Sequence, residues 1–260
     1  MITDEYKYTI KKSLGQNFLK DKNIAYIIVN SIDFKKSKII IEIGPGLGIL
    51  TKIIYEKNIP FKAIEIDKNI YNYLNNNYPF LRDNILNKNI LNYDLNQIKN
   101  NPIGIISNMP YNISSQILFW IIKYKNIINQ AVLMIQKEVG EKIITAPGNR
   151  NTNLLSVYIN TFFNVKCIKH INNKVFYPKP KVNSTVIKLT RNNFNIDFNE
   201  KLYFEIIKTS FLQRRKMIKN SLYNYKNINI INHNLLMKRP EELTIEDYIY
   251  ITNIIDNNVL

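Results

Sequence analysis

The chain has 260 residues, 45% of them apolar, and a formal net charge of +16 with an isoelectric point near 9.6. That is apolar material for one large domain and a small one, which excludes a disordered chain. No apolar run reaches the roughly 18 residues of a membrane helix, and the single cysteine, Cys167, excludes an internal disulfide or a cysteine metal cluster.

The segment MITDEYKYTIKKS lacks the apolar stretch of a signal peptide, so a cytoplasmic or organelle-interior location is expected. The positive charge favours a polyanionic partner, most simply nucleic acid. Lysine also belongs, with Ile, Asn and Tyr, to the residues with AT-rich codons that crowd this chain. The charge therefore supports an RNA or DNA partner without establishing one.

In KKSLGQNFLKD (11–21), Asp21 is placed to cap a helix over 23–32, with Ile24, Ile27, Ile28 and Ile32 at helical spacing. IIIEIG (39–44) reads as a short, β-branched, buried strand. It runs into GPGLG (44–48) and a helical stretch LGILTKIIYEK (47–57). FKAIEID (61–67) is the next strand, followed by a helix to about Tyr78. NILNKNI (84–90), IGIIS (103–107) and AVLMIQ (131–136) are further strands, with a helix SSQILFWIIKY (114–124) that buries Trp120. This alternation predicts a parallel sheet flanked by helices. After a helix over 154–164, KCIKHI (166–171) and KVNSTVIKL (181–189) close the sheet. From about Phe198 the pattern is helical only: 202–212, 214–223 and 241–255. The expected organisation is an α/β domain over 1–190 and a small all-α domain over 191–260, with TRNNFNIDFN (190–199) as linker.

Two turns carry chemistry. Glycines at 44, 46 and 48 let the backbone approach a ligand closely, and Glu65, about 20 residues on at the next strand end, can take both ribose hydroxyls of an adenosine. The G-x-G-x-G spacing and the acidic Glu42 favour a ligand with a cationic end, S-adenosylmethionine, over NAD, whose pyrophosphate prefers a helix N-terminus free of carboxylates. An ordinary glycine-rich turn is the bland alternative.

The second turn is Asn108-Met109-Pro110-Tyr111. The lone pair of an exocyclic aromatic amine is delocalised into its ring, so the amine is a poor nucleophile. An Asn carboxamide oxygen and a nearby backbone carbonyl can each accept one amino proton and favour the pyramidal, attacking nitrogen. Proline constrains the turn and Tyr111 offers a flat face for a flipped base. Read without that chemistry, the tetrapeptide is a strand-to-turn junction.

With both turns in place, the chain resembles the ribosomal RNA adenine N6,N6-dimethyltransferases of the KsgA type. SLGQNFL (13–19) resembles that family's N-terminal signature, EIGPGLGILT (42–51) its first methyltransferase motif, and NMPYNISSQIL (108–118) its catalytic motif. FYPKPKVNSTV (176–186), FLQRRKMIKNSL (211–222) and RPEELTIEDY (239–248) follow in the family's order.

The resemblance implies a Rossmann-like class I S-adenosylmethionine-dependent methyltransferase fold with an all-α C-terminal domain. It implies cofactor contacts at Asn17, Leu19, Gly44, Gly46, Glu65, Asn89 and Asn108. Catalytic roles then fall to Asn108, Met109, Pro110, Tyr111 and Phe176, the last expected on an exposed rigid loop and covering the second face of the adenine. Asn89 stands where the family usually has Asp, which removes charge assistance from one hydrogen bond and predicts weaker cofactor binding. Met109 replaces Leu at similar volume.

The implied reaction is N6 dimethylation of two adjacent adenines near the 3′ end of small-subunit ribosomal RNA, with a role in biogenesis of that subunit. The enzyme is expected to need no metal and to act as a monomer on immature subunits. Arg214, Arg215 and Lys216, expected to open a helix, and Lys179 and Lys181 are the RNA-binding candidates. His170 and His233 read as surface residues. Three rivals stand beside this reading: a resistance-type methyltransferase of large-subunit rRNA, an amine methyltransferase of DNA adenine or protein glutamine, and a non-catalytic subunit assembly factor.

Overall fold

The computed structural model describes Lys11 and residues 14–99, 102–192 and 197–256. Residues 1–10, Ser13 of the N-terminal signature and the middle of the expected linker lie outside the described residues. The elements in chain order are β1 (Phe18–Leu19), α1 (Lys22–Asn30), β2 (Ile39–Ile43), α2 (Ile49–Tyr55), β3 (Phe61–Glu65), α3 (Lys68–Asn77), β4 (Ile85–Asn87), β5 (Ile103–Asn108), α4 (Ser114–Lys123), β6 (Ile128–Gln136), α5 (Lys137–Ile144), α6 (Leu154–Phe162), β7 (Phe163–Ile171), β8 (Phe176–Tyr177), β9 (Ser184–Arg191), α7 (Glu200–Leu212), α8 (Ile218–Ser221), α9 (His233–Leu236) and α10 (Ile245–Ile255).

Seven strands form one sheet in the order β4-β3-β2-β5-β6-β9-β7. β2 lies between β3 and β5, parallel to both, and every one of its residues is buried. That is why IIIEI reads as a continuous apolar run broken only by Glu42. β9 joins antiparallel to β6, pairing Gln136 with Ser184. The strand order reverses between β2 and β5, so the carboxyl ends of β2, β3 and β5 open onto a crevice at the switch point. Register brings Ile43 opposite both Ile64 and Ser107. The GPGLG turn, Glu65 and Asn108 therefore emerge from adjacent strand ends.

Local chemistry sets the flanking helices. The Asp21 carboxylate accepts from Ile24 N–H at 3.1 Å and starts α1, which buries Ile24, Ala25, Ile28 and Val29. Trp120 is buried on α4 as expected. The stretch 84–90 is a strand only over Ile85–Asn87, because Asn89 caps a 3-10 turn over Ile90–Asn92. A second, two-stranded sheet pairs β1 with β8; the sequence pattern is too short to announce either strand.

Contacts divide the chain into two compact units, Met1–Gly140 with Lys166–Arg191, and Glu141–Val165 with Asn192–Leu260. The sequence reading placed one boundary at 190/191; the division falls at 191/192, but residues 141–165 group with the helical unit. The reason is apolar: Val157 of α6 is fully buried in one cluster with Tyr203, Ile206, Ile207, Leu243 and Tyr248. In that core the Tyr203 hydroxyl bonds Thr161 Oγ1 at 2.7 Å and Tyr248 donates to the Pro240 carbonyl at 2.9 Å, so neither phenol is stranded. No helix among the described residues is long and apolar enough to cross a membrane.

Candidate active site

A cleft in the first unit is lined by residues 14–19, by Gly44–Leu47 with Ile49 and Leu50, by Glu65 and Ile70, and by Asn108, Met109 and Pro110. It gathers Asn17, Leu19, Gly44, Gly46, Glu65, Asn108, Met109 and Pro110 from four separate segments. Gly46 has φ +54°, and a Cβ there would stand 3.1 Å from the Phe18 ring. The glycine is thus required both by the turn and by the close approach of β1.

Asn108 is the last residue of β5. Its Nδ2 donates to the Asn17 carbonyl at 3.0 Å, and Oδ1 accepts no hydrogen bond among the described residues. Met109 N–H donates to the Met134 carbonyl at 3.0 Å, which ties the turn to β6. The Pro110 carbonyl accepts from Ile113 N–H at 3.3 Å and Ser114 Oγ at 3.1 Å. The Met109 carbonyl accepts none among the described residues. Of the Met109 and Pro110 carbonyls, that of Met109 therefore has the acceptor left for a ligand. The Met109 side chain itself is buried, as its exchange for Leu requires. Tyr111 is half-buried and anchored through its hydroxyl to Ser184 Oγ of β9 at 2.5 Å. Burial raises its pKa, so it stays a neutral phenol.

Glu65 is buried at the end of β3, and burial pushes its carboxyl up to about 7, against the N–H groups of Asp67, Gly46 and Ile66 that favour the charge. The Asp67 N–H reaches Oε1 at 2.8 Å. Such a carboxylate gains from hydroxyl donors, which a ribose supplies. Glu42 is fully buried, and among the described residues neither of its oxygens has a hydrogen-bond partner. Burial pushes it up to about 8; the nearby Thr51 hydroxyl lowers it and the Glu65 charge raises it.

Several expected positions differ. Asn89 does not line the cleft; it sits in a shallow depression with Lys88, Asn92, Tyr93 and Asp94, and its Oδ1 is used on Leu91 N–H. Phe176 is not on an exposed loop. It is 1% exposed and pairs with Leu19 across the small sheet, while its neighbour Tyr177 is 49% exposed. The prolines of FYPKPK suggested a loop, but β alternation turns the phenylalanine inward. Lys179 and Lys181 are exposed. Arg214, Arg215 and Lys216 are exposed too, but lie in the turn between α7 and α8 and open no helix. Arg214 is occupied: Nη2 donates to the Arg150 carbonyl at 2.6 Å and Nε stands 3.5 Å from Glu241. His170 and His233 are at the surface. The sequence reading missed Lys11, Gln16 and Asp67, which bond one another beside the cleft; the helix-capping position of Asp67, two residues after Glu65, was the available signal.

Fold and site together define a class I, Rossmann-like methyltransferase with an Asn-x-Pro-Tyr turn at the end of β5. The chain belongs to the ribosomal RNA adenine dimethylase family, whose model matches residues 7–257. It is 40% identical over 253 residues to ribosomal RNA small subunit methyltransferase A of Flavobacterium johnsoniae, covering 96% of this chain and 97% of that one. The protein of the same name from Phocaeicola vulgatus is 41% identical over 247 residues, 94% of this chain and 88% of that one. In fold, the chain is similar to a dimethyladenosine transferase from Plasmodium falciparum (TM-score 0.76, 22% identity, 93% of this chain and 97% of that one). It is also similar to the 23S rRNA methyltransferase ErmE (TM-score 0.70, 20% identity, 92% and 99%).

Proposed function

We propose that this protein transfers methyl groups from S-adenosylmethionine to N6 of two adjacent adenines near the 3′ end of small-subunit ribosomal RNA, dimethylating each, and that it serves biogenesis of that subunit. The near full-length relatives named small-subunit methyltransferases support the substrate. The observation that carries the chemistry is the pair of acceptors, Asn108 Oδ1 and the Met109 carbonyl, uncommitted among the described residues, beside a cleft that also holds Glu65.

The residues present fit the cofactor: Gly44 and Gly46 line the cleft without side chains, and Glu65 is a buried carboxylate suited to a ribose diol. Bound there, S-adenosylmethionine supplies an activated methyl carbon. Glu65 would hold the ribose, and the GPGLG backbone would follow the chain. Asn108 Oδ1 and the Met109 carbonyl accept the two amino protons and aim the nitrogen lone pair along the line of displacement. Tyr111, held by Ser184, gives the flipped base its stacking face. Phe176, being buried, gives no open face. No strong base is needed, because the methylated nitrogen is acidic and its proton leaves late. The second transfer uses an amine with one proton fewer, so one acceptor goes unpaired in that step. Arg215 and Lys216, with Lys179 and Lys181, supply charge for RNA phosphates.

Asn108→Ala removes one acceptor and the orientation of the amine. Methyl transfer, followed with labelled cofactor, should fall by about 100-fold or more, while RNA binding stays near wild type. Retained turnover would remove Asn108 from the mechanism.

A further inference from the structure

Asn108 carries the reading above only if its amide faces the right way. Its two ends are nearly isosteric and opposite in chemistry: one accepts, the other donates two protons. Turned over, the amide would present NH2 to the amino group of a substrate, and two donors would meet. What fixes the orientation is the Asn17 carbonyl, an acceptor that only Nδ2 can approach, at 3.0 Å. That carbonyl belongs to the main chain, so its position depends on what holds the segment 14–19.

The segment is held at one buried carboxylate. Gln16 Nε2 donates to Asp67 Oδ2 at 2.8 Å. Lys11 Nζ pairs with Oδ1 at 2.9 Å, with the Asp67 side chain fully shielded from solvent. Lys11 N–H in turn donates to Gln16 Oε1 at 2.8 Å, closing a ring of contacts. Asn17 Nδ2 donates to the Gly15 carbonyl at 3.0 Å and stiffens the loop between them. Gly15 has φ +63°, and a Cβ there would stand 2.7 Å from Asn112 Oδ1. Asp67 N–H meanwhile reaches Glu65 Oε1. One residue thus ties the ribose-directed carboxylate to the segment that orients the amine-directed amide.

We propose that Asp67 is a positioning residue for methyl transfer: by latching Lys11 and Gln16 it sets the Asn17 carbonyl, which holds Asn108 with its acceptor turned to the substrate. This rests on the proposed role of Asn108. The bland alternative is that Asp67 only caps α3, where Oδ1 accepts from Asn69 N–H at 3.0 Å.

Exchange of donor and acceptor separates the two. Asp67→Asn keeps a good helix cap but sets an NH2 against Gln16 Nε2. Gln16→Glu sets a carboxylate against Asp67. The double variant restores the hydrogen bond with its polarity reversed, and Lys11 then pairs with the new carboxylate at position 16. Each single variant should lose roughly tenfold or more in kcat, the scale of a small misplacement, and raise the cofactor KM. RNA affinity should stay near wild type in each, and melting temperature near wild type in Asp67→Asn, while the like-charge contact in Gln16→Glu lowers it. The double variant should return to within about threefold, a coupling that independent sites do not show. Gln16→Ala, which leaves the cap of α3 intact, repeats the test without the like-charge contact. The latch is overturned if the single variants, or Gln16→Ala, keep kcat within about twofold, or if the double variant is no better than the singles. Asn108→Ala is measured alongside. If it is inactive while Asp67→Asn is active, the latch alone fails; if Asn108→Ala is active, the reading of Asn108 fails first.

Discussion

Glu42 is a carboxyl group shielded from solvent and without a hydrogen bond among the described residues, on the strand that leads into the glycine turn. Its pKa of about 8 in the folded chain lies above the ordinary 4.5. Between those values the native state holds a proton that the unfolded state has released, so stability falls as pH rises from about 4.5 through about 8. Glu42→Gln removes that loss. Its melting temperature should exceed wild type most at pH 8.5 and least at pH 5, and a gap that does not grow with pH would show that Glu42 is not buried as a neutral acid. At this scale the sequence told much of the site. Glu65 and Asn108 were legible because strand ends and turns announce themselves locally. Phe176 was misread because its burial comes from pairing with Leu19, about 160 positions away. Asp67 was missed because its partners Lys11 and Gln16 lie 56 and 51 positions away along the chain.

At the scale of elements, the long strands and helices followed from apolar spacing, and the short ones did not. α8 has four residues where the sequence suggested a helix over 214–223. The consequence is that Arg214, Arg215 and Lys216 project from a turn. Arg214 is spent on the Arg150 carbonyl and Glu241, so Arg215 and Lys216 are the better candidates for phosphate contact. Replacing both by Gln should weaken binding to small-subunit RNA and lower the slope of log K against log salt by about 1.5, since each phosphate contact contributes roughly 0.7–0.9. An unchanged slope would place the RNA footprint elsewhere. Arg214→Ala should instead lower melting temperature, with less effect on the slope.

For the whole molecule, a net charge of +16 and two separately cored units suit an enzyme that must hold a large RNA while working on single bases. The α/β order was legible because parallel strands and their helices alternate along the chain. The assignment of residues 141–165 to the helical unit was not, because that segment is defined by what Val157 packs against rather than by its own pattern. The most direct test is to incubate the protein with labelled S-adenosylmethionine and small ribosomal subunits that lack these methyl groups, then map the label base by base. The expected result is N6,N6-dimethylation of two neighbouring adenines near the 3′ end of the small-subunit RNA, lost in Asn108→Ala. Label on large-subunit RNA instead, or none on any RNA with the cofactor bound, would contradict it.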